Sequence, residues 1–192
     1  MIYITINLMK KKKKLFNKKN KNIFENNLLK TLYQFFITVY FFHSYPTKKY
    51  KTKKGISFFF IKSKKEANSK NLTEDYFKNN KFKLERFKNK SRFIGIKNKQ
   101  EIICSGWIHY GTQSRWNVEE INRDIKLNNQ YLLYDFYTSK KFRNLGFYQT
   151  LLKIIQNKFQ NKKLIIYTTS HNKKSIKAIS KSGFTFSYQL KK

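Results

Sequence analysis

The sequence predicts an α/β domain preceded by a basic N-terminal extension, and three observations point to it. Residues 131–190 alternate strand, helix, strand, helix, strand in their apolar spacing, the pattern of crossover connections. Aromatic residues make up 18% of the chain, more ring surface than a disordered polymer carries. The charge is uneven: residues 1–65 hold 17 Lys and one acid, Glu25, about half of the +33 total in a third of the 192 residues. One Pro and six Gly exclude collagen-like or Pro/Gly-rich chains. The single Cys104 excludes a disulfide scaffold and a Cys-rich zinc site, fits a reducing compartment, and leaves no metal expected.

The elements follow in chain order. Lys10 to Lys14, then Lys18, Lys19 and Lys21, form a block that repels itself and stays solvated unless an anion meets it. Leu28 to Tyr45 is apolar but too short for a confident membrane span, and no small-residue cleavage site follows the basic start. It reads as a helix lying on an anionic membrane surface or on the domain. Residues 1–48 are therefore expected to be an extension and 55–192 the domain. Ile56 to Ile61 is a strand, rich in aromatic and β-branched residues. Residues 66–90 carry weak helical spacing through Leu72, Tyr76, Phe77 and Phe82. Arg92–Ile96 and Glu101–Tyr110 are two strands around a polar turn at 98–100. Asn117 with Glu120 looks like an N-cap and its reciprocal acid, which predicts a short helix over 118–127. Tyr131–Thr138 is a strand, and Phe147–Phe159 is a helix with Leu151, Leu152, Ile154, Ile155 and Phe159 on one face. Lys163–Thr169 is a strand, Asn172–Lys181 a helix capped by Asn172, and Phe184–Leu190 a closing strand. Gly183 suits the left-handed residue after that helix.

A +33 chain attracts phosphates without sequence preference. Yet 38 of the 43 basic residues are Lys and only five are Arg, the residue that reads bases and forks onto phosphates. Lys, Asn, Ile, Phe and Tyr are inflated together, as an AT-rich genome produces whatever the protein does. No specific nucleic acid is expected. A basic RNA-binding or ribosome-associated protein without enzymatic activity remains the alternative.

The chemistry concentrates in Tyr137 to Thr150, YTSKKFRNLGFYQT. A strand ends, a basic turn follows and a helix opens near Gly146. Its first amides and positive dipole end suit a pyrophosphate, and a Gly lets backbone approach an anion closely. Alone, the turn is also an ordinary strand-to-helix connection. A second stretch, Ser170 to Ser175 with Lys181-Ser182-Gly183-Phe184, is likewise explained by ordinary caps.

Together the two stretches resemble the GNAT superfamily of acetyl-CoA-dependent N-acetyltransferases. The family's [RQ]-x-x-G-x-[GA] loop is matched by Arg143, Asn144, Leu145, Gly146, Phe147 and Tyr148, with Leu151-Leu152 following. Its later N-x-x-[AS]…K-x-G-F is matched by Asn172, Ser175, Lys181, Gly183 and Phe184. Tyr148 stands where a small residue is usual, Ile179 where many members have a Tyr acid, and Tyr167 where some place a Glu base.

The resemblance implies a central mixed, mostly antiparallel sheet flanked by helices, with acetyl-CoA as co-substrate. It implies a coenzyme site built from Phe136, Tyr137, Thr138, Arg143, Asn144, Leu145, Gly146, Phe147, Tyr148, Gln149 and Asn172. The amides near 136–138 would hold the pantetheine arm and polarise the thioester carbonyl. A small-molecule amine would be the acceptor, and Asp135 the candidate to take its proton, with Glu119, Glu120, His109, His171 and Tyr167 as further candidates. Cys104, in an apolar strand, is read as a buried inert thiol. The basic start followed by an aromatic strand is loosely similar to GNAT members tied to cell-surface polysaccharide synthesis, which favours an amino sugar. The expected location is cytoplasmic, peripheral to a membrane if the N-terminal segment meets one.

Overall fold

The computed structural model describes residues 37–44, 55–69, 81–99 and 101–192. Seven strands form one sheet: β1 (Thr38–Ser44), β2 (Ser57–Ile61), β3 (Ser91–Asn98), β4 (Glu101–Val118), β5 (Arg123–Thr138), β6 (Lys163–Thr169) and β7 (Thr185–Lys191). Their order is β2-β3-β4-β5-β6-β1-β7. Every neighbouring pair is antiparallel except β5 and β6. The helices are α1 (Lys64–Ser69), α2 (Phe147–Lys158) and α3 (Lys173–Lys181), with 3-10 turns at Lys81–Phe87 and Lys140–Phe142. This is the mixed, mostly antiparallel sheet with flanking helices that the sequence led us to expect.

The α2 crossover joins the parallel pair β5 and β6, because parallel neighbours cannot be closed by a hairpin. Leu151, Leu152, Ile154 and Ile155 of α2 and Ile179 of α3 pack with Ile108, Leu133, Leu164 and Ile166 on one face of the sheet. Asn172 caps α3, its Oδ1 accepting from the Ser175 amide at 3.1 Å. Gly183 adopts φ +91° after α3 and returns the chain to the core at Phe184.

The apolar stretch at 28–45 is not a surface helix where it is described. Thr38–Ser44 is β1, which sits between β6 and β7 and pairs with both. Val39 and Phe41 face one core cluster, and Phe42 faces the other. A strand buried on both faces reads as a continuous apolar run, which periodicity cannot tell from a helix. The expected division into a 1–48 extension and a 55–192 domain therefore fails at 38–44, which belong to the sheet. Residues 1–36 and 45–48 lie outside the described residues, as do 70–80 of the weakly helical 66–90 stretch.

The helix expected over 118–127 is also corrected. Residues 119–122 form the turn of a long β4–β5 hairpin, and Asn117 donates across it to Asp124 Oδ1 at 3.0 Å rather than capping a helix. Ile125 and Leu127 are buried on alternate positions, the period of a strand. The hairpin doubles back. Register shifts near Gly111 and Thr112, with positive φ at Gln113 and Asn129, bend it sharply. A Cβ on Gly111 would lie 2.3 Å from the Leu127 side chain. The distal half thus lays Val118, Ile121, Ile125 and Leu127 onto Trp107, Leu132 and Tyr134, covering the sheet face opposite α2. Trp116 comes within 4.6 Å of the Tyr134 ring and 4.9 Å of His109.

Candidate active site

The site is built where two parallel strands part. β5 and β6 pair only from Gln130–Lys163 to Leu133–Ile166. Beyond that, β5 runs on to Thr138 against β4, and β6 to Thr169 against β1. A cleft opens between their carboxyl ends, where ligands of open α/β sheets sit.

A bulge lines the β5 side of the cleft. Trp107 faces Tyr134 and Ser105 faces Tyr137, so Asp135 and Phe136 together oppose Gly106. Asp135 takes the left-handed conformation, φ +49°. Gly106 makes room for it: a Cβ there would lie 2.5 Å from the Phe136 ring. The Ser139 amide donates to Ile103 O at 3.0 Å. Since amides alternate along a strand, those of Phe136 and Thr138 turn away from β4, toward the cleft.

At the mouth, Arg143 Nε donates to Thr138 O at 3.1 Å and its guanidinium lies 5.5 Å from the Tyr137 ring centre. Asn144 and Gly146 have φ of +64° and +78°. Gly146 opens α2 without a side-chain cap, and a Cβ there would meet nothing within 4 Å. The first amides of α2, at Phe147, Tyr148 and Gln149, have no partner within the helix. Leu145 is exposed at 58%. The Tyr148 ring turns back onto Phe136 at 5.3 Å, and burial pushes its phenol well above the ordinary range. Asn172, at the start of α3, uses Oδ1 for its own cap.

The opposite face carries the acids. The folded-back hairpin brings its tip, Glu119 and Glu120, into the electrostatic range of Asp135 and Tyr167. Partial desolvation, then the neighbouring carboxylates Glu119 and Asp135, hold the Glu120 carboxyl above the ordinary range, although the residue as a whole is exposed. Asp135 is differently placed: its Oδ2 accepts from Lys83 at 2.8 Å and from Arg86 at 2.5 Å. Two cations on one carboxylate make it an anchor of the bulge. Arg86 also lies over the Tyr134 and Trp107 rings, at 5.1 and 5.4 Å. Tyr167 lies just past the last β5–β6 pair, its phenol pushed up by burial and by Glu120.

The other candidates lie apart. His109 is buried with Nδ1 3.3 Å from Ser91 Oγ, which accepts from Tyr134 OH at 2.9 Å; burial lowers its pKa. His171 is exposed in the turn before α3. Ile179 is wholly buried under α2, so the position expected for a Tyr acid points into the core. Cys104 is buried, its thiol pushed up to about 12 by desolvation, as an inert thiol should be. Sequence reasoning missed Lys83, Arg86, Tyr134 and Gly106, which gain meaning only from the bulge. Gly111 and the Asn128-Asn129 pair, turn formers inside strands, were the available signal for the bend.

Solved structures share this architecture. An acetyltransferase of the GNAT family from Colwellia psychrerythraea aligns at TM-score 0.51 and 16% identity, over 80% of this chain and 53% of its own. A GNAT-family protein from Novosphingobium aromaticivorans aligns at 0.52 and 9%, over 80% and 61%. A GCN5-related N-acetyltransferase from Sphaerobacter thermophilus aligns at 0.51 and 7%, over 85% and 54%. The chain has the GNAT acetyltransferase fold. It spans between about half and three-fifths of the length of these structures. No family model and no curated protein matches the sequence. The neighbours carry no link to polysaccharide synthesis and lend no support to an RNA-binding role. No helix among the described residues is long and apolar enough to cross a membrane.

Proposed function

We propose that this GNAT-fold chain transfers the acetyl group of acetyl-CoA to an amine. The observation that carries the reading is the β5–β6 cleft, lined by the bulge at Asp135–Phe136 and entered beside the uncapped start of α2. These residues suit the coenzyme: outward amides on one strand for an amide-bearing arm, and a Gly-opened helix start for a pyrophosphate.

Acetyl-CoA supplies an activated acyl carbon and a thiolate leaving group. The amides of Phe147, Tyr148 and Gln149, with Arg143 beside them, would hold the phosphates. The outward amides of Phe136 and Thr138 would orient the arm and favour negative charge on the carbonyl oxygen, the largest single aid to acyl transfer. The acceptor enters from the acid-bearing face. An amine is mostly protonated at neutral pH, so a base must take its proton. Glu120 suits that task better than Asp135, because its raised carboxyl is a stronger base and Asp135 must first give up Lys83 and Arg86. Tyr167 stands beside it as a polar wall. An amino sugar is one acceptor this reading admits.

Gly146→Asp tests the coenzyme site. The φ of +78° strains any side chain, Asp less than most, and the space around the Cβ is open, so Gly146→Asn carries the same strain as a control while in Gly146→Asp a carboxylate confronts phosphate. Calorimetry should show coenzyme A affinity reduced several-fold or more, since a charge at a helix start is worth about 0.3–1 and at most about 2 kcal/mol, and about 1.4 kcal/mol is tenfold. Unchanged affinity would remove the assignment.

A further inference from the structure

The bulge breaks the alternation of β5. Tyr131 and Leu133 pack on the α2 side of the sheet, Leu132 and Tyr134 on the acid-bearing side. Unbroken alternation would put Asp135 on the α2 side and Phe136 with the acids. The reverse is found. Phe136 packs on the α2 side, and the Asp135 carboxylate reaches Arg86, whose guanidinium lies over Tyr134 and Trp107. Tyr134 and Asp135 thus share one side. The φ of +49° that allows this strains any side chain, Asp less than most.

That conformation is held from a separate element. Lys83 and Arg86 lie three residues apart on the 3-10 turn Lys81–Phe87, where positions i and i+3 share a face. Both end on one oxygen, Asp135 Oδ2, at 2.8 and 2.5 Å. Both side chains are largely buried, which makes their charge-assisted bonds stronger than those of a surface pair. The turn is itself pinned. Leu84 and Phe87 pack on the core of the acid-bearing side, and the Phe87 ring meets Trp107 edge-on at 5.1 Å. Trp107 faces Tyr134, the last regular pair before the bulge. The turn therefore grips β5 at the residue where its register shifts.

We infer that Lys83 and Arg86 are positioning residues of the coenzyme site. They hold Asp135 left-handed and so keep the amides of Phe136 and Thr138 turned into the cleft; this rests on the acyl-transfer reading above. Both cations act through the backbone of β5, by way of Asp135. The role predicts a split between the two ends of the coenzyme. Phosphates at the start of α2 should not sense the latch, whereas the acyl-bearing arm along β5 should.

The test titrates the full chain by calorimetry with two probes. Acetyl-CoA carries the arm; adenosine 3′,5′-bisphosphate is the nucleotide part without it. Lys83→Met/Arg86→Met keeps apolar stems and removes both charges. Acetyl-CoA affinity should fall about tenfold, the scale of two weakened hydrogen bonds, while bisphosphate affinity stays within about twofold. Amide hydrogen exchange should quicken at Tyr137 and Ser139, which pair with β4 beyond the bulge, and stay slow at Leu133 before it. Asn tolerates a positive φ and can still accept from Arg86, so Asp135→Asn should lose less acetyl-CoA affinity than Asp135→Val. That pair decides the matter if the double variant fails to fold. Unchanged acetyl-CoA affinity in the double variant would overturn the inference. So would equal loss of both probes with faster exchange at Leu133, the mark of general loosening, or Asp135→Asn as damaging as Asp135→Val. A wild type that binds neither probe would remove the acyl-transfer reading, and the positioning role with it.

Discussion

Phe41→Ala separates a core strand from a surface helix in the apolar stretch before residue 45. Phe41 is fully buried in β1, between β6 and β7. It stacks on Tyr188 at 4.5 Å and 11° and leans on Tyr167 at 5.6 Å. Truncating a buried Phe costs about 3–5 kcal/mol in lost transfer energy and cavity formation. The stacked pair contributes about 0.5–1.5 kcal/mol beyond area burial, so the upper half of that range applies. Against a total stability of about 5–15 kcal/mol, this is a large fraction. For a domain of this size, about 2–4 °C per kcal/mol gives a fall in melting midpoint of roughly 8–20 °C. Thermal unfolding followed by near-ultraviolet circular dichroism measures it, with Lys177→Ala on the exposed side of α3 as a control expected to move little. If Phe41→Ala melts within about 2 °C of the parent, β1 is not a core strand and the reasoning about 38–44 collapses.

The remaining predictions concern the site. Gly106→Ala drives a methyl into the Phe136 ring and should cost about 1–3 kcal/mol while distorting the bulge, so transfer should fall more than coenzyme affinity does; equal losses would point to general unfolding. Glu120→Gln should lower turnover by about 10²-fold or more and remove the pH limb belonging to its carboxylate, with coenzyme affinity retained. Its folded carboxyl is raised above the usual 4.5, so the folded state holds the proton more tightly and the wild type loses stability as pH rises from 4.5 through the raised value. Glu120→Gln should therefore be the more stable protein at pH 7, with the advantage vanishing below pH 4.5; urea midpoints across pH decide it. Cys104 should resist a thiol reagent such as dithionitrobenzoate in the native state and react on unfolding, since its thiol is buried and pushed up to about 12; fast native labelling would contradict that burial.

The sequence alone determined the elements from Phe147 onward. Local signals agree there: an i, i+3, i+4 apolar face from Leu151 to Ile155, an Asn172 cap, a left-handed Gly183, and a strand at Lys163–Thr169 found with its expected bounds. The R-x-x-G turn before α2 was visible for the same reason, since a Gly at a helix start is a local requirement. Tertiary structure decided the rest. Thr38–Ser44 looked like a helix because a strand buried on both faces has no alternation to reveal it; only its pairing with β6 and β7 fixes its state. Residues 118–127 looked capped because Asn117 and Glu120 have N-cap spacing, yet Asn117 found its partner across the hairpin in Asp124. The acids were legible as residues but not as a group. Glu119, Glu120 and Asp135 meet because a bend near Gly111 folds the hairpin back, and Asp135 is tied to Lys83 and Arg86, some fifty residues earlier in the chain. Local spacing encodes caps and faces, whereas a cleft between diverging strands and the charges around it arise from pairings that no single stretch of sequence contains.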